Sequence, residues 1–345
     1  MGSRPLRQAQ GAINCKLPEP VEGAYITILA NKWLSFVGNQ KKMNDSKATH
    51  QDTKKVFWKS RTCSRSFFHI LNREFGYPKE TEEHAANPLA GGIRLKGYQC
   101  GMLWGASLAV GAESFRRCDD RDQAIAMTIR ATQHLMESFS KRAESVNCRD
   151  ITSCDFTSKL GIGKYIFSGK FISCITLAEQ WAPEAIQSAK EGLSHDQSAF
   201  PQLPISCASE VARKMGATAE EMVMVAGFAG GLGLSGNACG ALSAAIWMNA
   251  LARHRKKTGF DDNNLKFSDK TGSGKPAYPS AKDMVKAFYD ATDSKILCHE
   301  ISEQYFNTIG EHTEFIKNGG CGKLITALAS LSCSSGKENV ERSKA

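Results

Sequence analysis

No apolar run in this chain approaches the ~20 residues that a membrane-spanning helix needs, so no transmembrane segment is expected. Met1 to Cys15 is polar and lacks the apolar centre of a secretory leader, which makes a cytoplasmic protein the expectation. No stretch alternates polar and apolar residues convincingly with period two, the usual mark of a half-buried strand. There is also no Cys-x-x-Cys pair. That absence speaks against a thioredoxin-like site, a zinc ribbon, bacterial ferredoxin spacing and a haem-attachment motif. Gly272-Ser-Gly-Lys275 lacks both the first glycine and the following Ser or Thr of a phosphate loop, and reads as linker. No metalloprotease motif, Ser-His-Asp spacing or specific nucleic-acid motif is present.

What the chain does have is cysteine, twelve in 345 residues. In a reducing compartment that usage points to metal or redox chemistry rather than structural disulfides. The net charge of +9 is uneven: residues 1–62 hold eleven Lys or Arg against four Asp or Glu. Such an arm is a solvated extension or a docking surface for an acidic partner, nucleic acid or anionic lipid.

The chain also repeats itself. Leu89 to Ala106 lies without gaps on Phe228 to Ala245, so that Gly91, Gly92, Gly97, Cys100 and Gly101 fall on Gly230, Gly231, Gly236, Cys239 and Gly240. A second ungapped match sets Cys148 to Phe156 on Cys298 to Phe306, with a base, an acid and Ile after each cysteine. Closely spaced glycines allow positive φ and close backbone approach, so each glycine stretch is a shaped loop. The small apolar run that follows reads as a buried helix, with the cysteine near its N-terminus, where N–H groups favour a thiolate.

Helix signals fill most of the rest. Cys63 opens a helical stretch that ends at Gly76 and Pro78, and Asp119 and Asp120 precede a stripe of Ile125, Ile129, Thr132, Leu135, Met136 and Phe139. A glycine-containing loop is expected between Cys148 and a helix carrying Cys174. Thr218 with Glu221 is a capping box, and Ser280 with Asp283 starts another helix. Ala24 to Val37 reads as a short helix, His254 to Pro279 as an exposed insert, and Trp104 and Trp247 as core. The expected fold is all-α: two homologous helical units related by a pseudo-twofold, with an N-terminal extension. The expected boundaries are 1–55 for the basic extension, 56–195 and 196–331 for the units, and 332–345 for a disordered tail.

Four cysteines recur in order in each half: Cys63, Cys100, Cys148 and Cys174, then Cys207, Cys239, Cys298 and Cys321. Cys15, Cys118, Cys154 and Cys333 have no counterpart. A lone cysteine is usually a small buried hydrophobe, but an ordered set that appears twice argues for chemistry. The pattern resembles the four-cysteine family named for its C–GCAxxG–C–C motif, described as redox-active, and the chain looks like a tandem fusion of two such units.

Three chemistries follow from such a set. Iron–sulfur clusters take four thiolates and are tuned by N–H···S bonds and burial. Zinc also takes four thiolates. A dithiol relay needs only two cysteines, one with a lowered pKa. The leading expectation is a cysteine-ligated iron–sulfur site used in electron transfer, with all eight repeated cysteines as ligands and a redox partner protein or small acceptor. The alternatives are a metal-free thiol–disulfide oxidoreductase and a metal-binding or structural module, and homodimerisation is left open. Arg149-Asp150 and His299-Glu300 are candidate thiol-tuning pairs or surface ion pairs.

Overall fold

The computed structural model of the chain describes residues 53–194, 203–258 and 279–333. The expectations for Ala24 to Val37, for the rest of 1–52 and for the tail 334–345 lie outside the described residues. Helix and turn account for the described part, and no strand occurs among the described residues. No helix among them is long and apolar enough to cross a membrane.

The first unit runs α1 (53–60), α2 (Cys63–Glu74), α3 (Glu80–Ala85), a 3₁₀ turn (Asn87–Leu89), α4 (Gly101–Arg117), α5 (Arg121–Ala143), α6 (Cys148–Thr152), α7 (Lys159–Phe167) and α8 (Lys170–Gly192). The second repeats the order from the second helix on: α9 (Cys207–Lys214), α10 (Ala219–Met224), a 3₁₀ turn (Ala226–Phe228), α11 (Gly240–Thr258), α12 (Ala281–Ala291), α13 (Cys298–Ser302), α14 (Ile309–Lys317) and α15 (Gly322–Cys333). The predicted caps form. Asp120 accepts from the N–H groups of Asp122 and Gln123 at the start of α5, and both Thr218/Glu221 and Ser280/Asp283 are complete capping boxes.

The centre of each unit is the helix after its glycine loop. In α4 every residue from Gly101 to Ser114 is buried, because the helix is covered by neighbours on all sides rather than on one stripe. Those neighbours come from both units. Helix α4 packs on α10 and on the second 3₁₀ turn, while α11 packs on α3 and on the first. That reciprocity is what a pseudo-twofold between homologous units requires. Trp104 meets Phe228 edge-on with ring centroids 4.8 Å apart, the Trp247 indole N–H donates to the Glu82 carbonyl at 3.2 Å, and the Gln99 amide donates to the Gly231 carbonyl at 2.9 Å. The described residues all belong to one compact unit, Ala48–Ala345.

Two local expectations change. The glycine-containing stretch after Cys148 is not a loop: Gly161 and Gly163 lie inside α7, whose N-terminus is capped by the Ser158 hydroxyl. The glycines suggested a breaker, but the N-cap and the packing of α7 on α8 outweigh a propensity cost of ~1 kcal/mol per glycine. Helix α11 continues past His254 to Thr258, so the insert begins later than its polar composition indicated.

Candidate functional site

Seven of the eight repeated cysteines begin a helix or immediately precede one; Cys174, inside α8, is the exception. The glycine stretch places the first two of each set. In the first unit Gly91, Gly92, Ile93, Arg94 and Leu95 all have φ between 55° and 70°, a left-handed turn. Gly230, Gly231, Leu232, Gly233 and Leu234 repeat it. Left-handed backbone costs an ordinary residue roughly 1–2 kcal/mol, so the turn is held by its surroundings. The Arg94 N–H donates to the Pro88 carbonyl at 2.8 Å, and Ile93 is buried in the core. What the turn delivers is an N–H at its first glycine: Gly91 hydrogen-bonds Cys63, and Gly230 hydrogen-bonds Cys207.

The second and third cysteines are pinned together by a one-residue antiparallel bridge, Gln99 with Asn147 and, in the repeat, Ala238 with Leu297. The Cys100 N–H donates to the Val146 carbonyl and the Cys148 N–H to the Tyr98 carbonyl, each at 2.7 Å. In the second unit Cys239 bonds Ile296 at 2.9 Å and Cys298 bonds Asn237 at 2.6 Å. The residues after the third cysteines belong to this clamp. Arg149 and His299 each donate their backbone N–H to the glycine loop, at Gly97 and Gly236. His299 also hydrogen-bonds the Gly236 carbonyl through Nδ1 at 2.8 Å and stacks on Tyr305. Close approach then brings the first and second cysteines together. A Cβ on Gly101 would lie 2.5 Å from the Cys63 sulfur, and one on Gly105 would collide with the Ser64 carbonyl, so these two glycines are what let α4 reach α2.

The first unit thereby gathers Cys63, Cys100, Cys148 and Cys174, close enough that charge on one raises the pKa of others. Cys63 differs from the rest. A hydrogen bond from Cys100, joined by the backbone N–H groups of Gly91, Ser64 and Cys63 itself, outweighs burial and holds its pKa down to about 7. Cys100 moves the other way because of that same hydrogen bond and its own burial. Burial raises Cys148, and it pushes Cys174 up to about 11 against a hydrogen bond from the Tyr165 hydroxyl.

The second unit gathers its four on one enclosed cavity of about 20 Å³, lined by Cys207, Cys239, Cys298 and Cys321 with Phe315 and His312. None of these thiols is lowered. Burial raises Cys207, Cys298 and Cys321, and pushes Cys239 up to about 12 in spite of N–H groups from Leu242 and Ala241.

Several of these neighbours carry no repeat signal. The ungapped offset that sets α7 on α14 puts Tyr165 at Phe315 and Ile162 at His312. Each site therefore has one polar side chain of its own, from different positions on the same helix. Cys154, unmatched in the second half, is buried beside Phe156 and acts electrostatically on Cys148. Along the same offset Cys174 falls on Leu324 and Cys321 on Phe171. The fourth cysteines are thus three residues out of register. Cys174 lies inside α8, whereas Cys321 stands just ahead of α15 with a left-handed φ of 57°.

His312 yields a pH prediction. It is 1% exposed, Nδ1 faces the Ile205 carbonyl at 3.1 Å, and burial drives its pKa down to about 4. A carbonyl only accepts, so Nδ1 carries the proton and Nε2 the lone pair. A base lowered in the folded state leaves stability intact above its unfolded value of ~6.5 and subtracts from it as pH falls toward 4, because the unfolded chain takes the proton first. Between pH 7 and pH 4.5 this group should remove about 2 kcal/mol. Urea unfolding at the two pH values should show that extra loss in the wild type and a smaller loss in His312→Phe. Equal losses would mean that His312 is not buried neutral.

Thiolates with backbone N–H donors suit a metal or cluster by their chemistry. Among the described residues no group of three or more His, Cys, Asp or Glu is set to hold a metal ion, and the second unit's cavity has room for about one water-sized occupant. A family model described as "Putative redox-active protein (C_GCAxxG_C_C)" matches residues 61–185 and, a second time, residues 205–335. No curated protein and no solved structure matches the chain.

Proposed function

Because the chain belongs to the C_GCAxxG_C_C family, described as redox-active, we propose that it works by reversible thiol chemistry, with Cys63 the attacking thiolate and Cys100 its resolving partner. The observation that carries this reading is the inequality of the pair: one sulfur collects the hydrogen bonds and is lowered to about 7, while its neighbour is raised. An attacking thiol works best with a pKa near ambient pH.

The step balances with a disulfide-bearing oxidant, a small molecule or a partner protein. The Cys63 thiolate attacks one oxidant sulfur, the S–S bond breaks, and the other sulfur leaves as a thiolate. In the mixed disulfide Cys63 no longer carries charge, which removes the main influence raising Cys100. Cys100 loses its proton to solvent and attacks the Cys63 sulfur. The second oxidant thiolate departs, and the Cys63–Cys100 disulfide closes. Two electrons have passed to the oxidant.

The full chain, purified without oxygen, should be treated with a cyclic dithiol disulfide at neutral pH, quenched in acid, alkylated and mapped by mass spectrometry. The expected first product is a Cys63–Cys100 disulfide, absent in Cys63→Ser. Disulfides that never include Cys63 would overturn the reading.

A metal or iron–sulfur site used in electron transfer is the second reading. It is favoured by the convergence of Cys207, Cys239, Cys298 and Cys321 on one cavity, from which those residues would be the ligands. It requires the sulfurs to close in from their present spacing. Iron, zinc and acid-labile sulfide analysis of the same preparation separates the two. Stoichiometric metal that shields all four thiols of a unit from alkylation would displace thiol exchange there.

A further inference from the structure

The second unit's cysteine cavity has a neighbouring groove. A groove of about 510 Å³ runs along the N-terminal end of α15, within the size range of small-ligand sites. Ile301, Cys321 and Leu324 line both the groove and the cavity, so Cys321 stands in the wall between them. Gly320 before it backs onto the Phe315 ring, but a Cβ on Gly319 or Gly322, which line the groove, would meet nothing within 4 Å, so Cys321 is open on the groove side. At the register position of Cys321 the first unit has Phe171, whose ring packs on Trp58 at 5.2 Å, Phe57 at 6.1 Å and Tyr165 at 6.3 Å. Aromatic rings therefore surround this register position in the first unit, where the second has a thiol on a groove.

The groove also has a sign. Lys295 and Lys323 line it, both exposed, and neither takes part in an ion pair among the described residues. Asp293 is the one carboxylate on its wall. The lysines face the same space as a partly exposed thiol.

We propose that this groove is the entry site of the second unit for a small anionic disulfide, with Lys295 and Lys323 holding its negative group and Cys321 the first thiol it meets. The proposal rests on the thiol-exchange reading and adds a substrate class and a route to it. Cys321 gives its proton to solvent and attacks one substrate sulfur. The substrate S–S bond breaks, and the other sulfur leaves with the electron pair as a thiolate. A second thiol on the same cavity then gives its proton to solvent and attacks the Cys321 sulfur, the remaining substrate sulfur leaves as a thiolate, and the substrate has taken up two electrons as the protein disulfide closes.

The test uses the full chain, reduced, and two thiol reagents of matched reactivity, an anionic sulfonatoethyl methanethiosulfonate and its cationic trimethylammonium counterpart. Modification of Cys321 is followed by peptide-resolved mass spectrometry, and rates are normalised to those of a free thiol. The anionic reagent should be favoured at Cys321 by about fivefold at low salt, less at high salt. The double variant Lys295→Glu/Lys323→Glu should invert that preference. Gly322→Phe, placed where a side chain meets open space, should slow both reagents at Cys321. A preference that survives charge reversal, or a Cys321 that reacts with neither reagent, overturns the proposal. Neither result touches the Cys63–Cys100 disulfide trap, so failure here is distinguishable from failure of thiol exchange as such.

Discussion

Iodoacetamide should label Cys63 with a midpoint near pH 7, below the ~8.5 of an ordinary thiol. At pH 7 about half of Cys63 is then thiolate, against about 3% for a reference cysteine, a rate advantage on the order of tenfold for equal access. The cause is local and can be removed piece by piece. Cys100 supplies the largest contribution, and the N–H groups of Gly91 and Ser64 supply the next, all working against burial. Cys100→Ala should therefore move the Cys63 midpoint upward by more than one pH unit. Cys239→Ala, the same substitution in the repeat, should leave Cys63 where it is and, by removing a charge that raises Cys207 and Cys298, should shift those two downward rather than upward. A Cys63 midpoint that stays near 7 without Cys100 would show that the pair is not what sets it. The asymmetry between units is the sharper readout, because Cys207 has the matching Gly230 N–H yet lies high.

The largest stability effect is expected at the contact between units. Trp104 is fully buried, donates its indole N–H to the Gln99 carbonyl at 3.1 Å and packs edge-on against Phe228. Gln99 in turn reaches the Gly231 carbonyl in the second glycine turn. Trp104→Ala removes a core aromatic at a site hemmed in by both units, where collapse is restricted, and should cost about 3–5 kcal/mol. Against a total of ~5–15 kcal/mol for a typical domain, that is a large share. Urea unfolding of the full chain measures it. Trp58→Ala is the control: Trp58 is 56% exposed and should cost under about 1 kcal/mol. Equal losses for the two variants would mean that the Trp104–Phe228 contact does not hold the units together.

The helical fold and the duplication were legible because both leave signals in linear order. Thr218 with Glu221 and Ser280 with Asp283 write their caps into four consecutive residues each, and the structure closes both boxes. The paired glycines before Cys100 and Cys239 announced an unusual backbone. The full extent of the left-handed turn was hidden, because Ile93, Arg94 and Leu95 have no preference for that conformation and take it through the bonds around them. Tyr165 and His312 were invisible for a different reason. Each stands in only one copy, so a comparison of the halves erases it, and each matters only because its helix folds back over the cysteines. The Gly161 and Gly163 stretch misled because intrinsic preference was weighed without the partner helix that overrides it.

By itself the sequence determined an all-helical, duplicated protein, the eight cysteines in their order, and the glycines that let backbone approach sulfur. Those follow from periodicity, capping chemistry and repetition, which depend on neighbours along the chain. Only the tertiary structure decided that Cys63 is the lowered thiol, that Cys207 is not, and that the second site opens on a groove where Phe171 covers the first. A thiol's pKa is the balance of burial against a few hydrogen bonds and charges, all acting over short distances in space. Residues far apart in the chain supply that balance, and a register difference of three residues in a single cysteine changes what the site can meet.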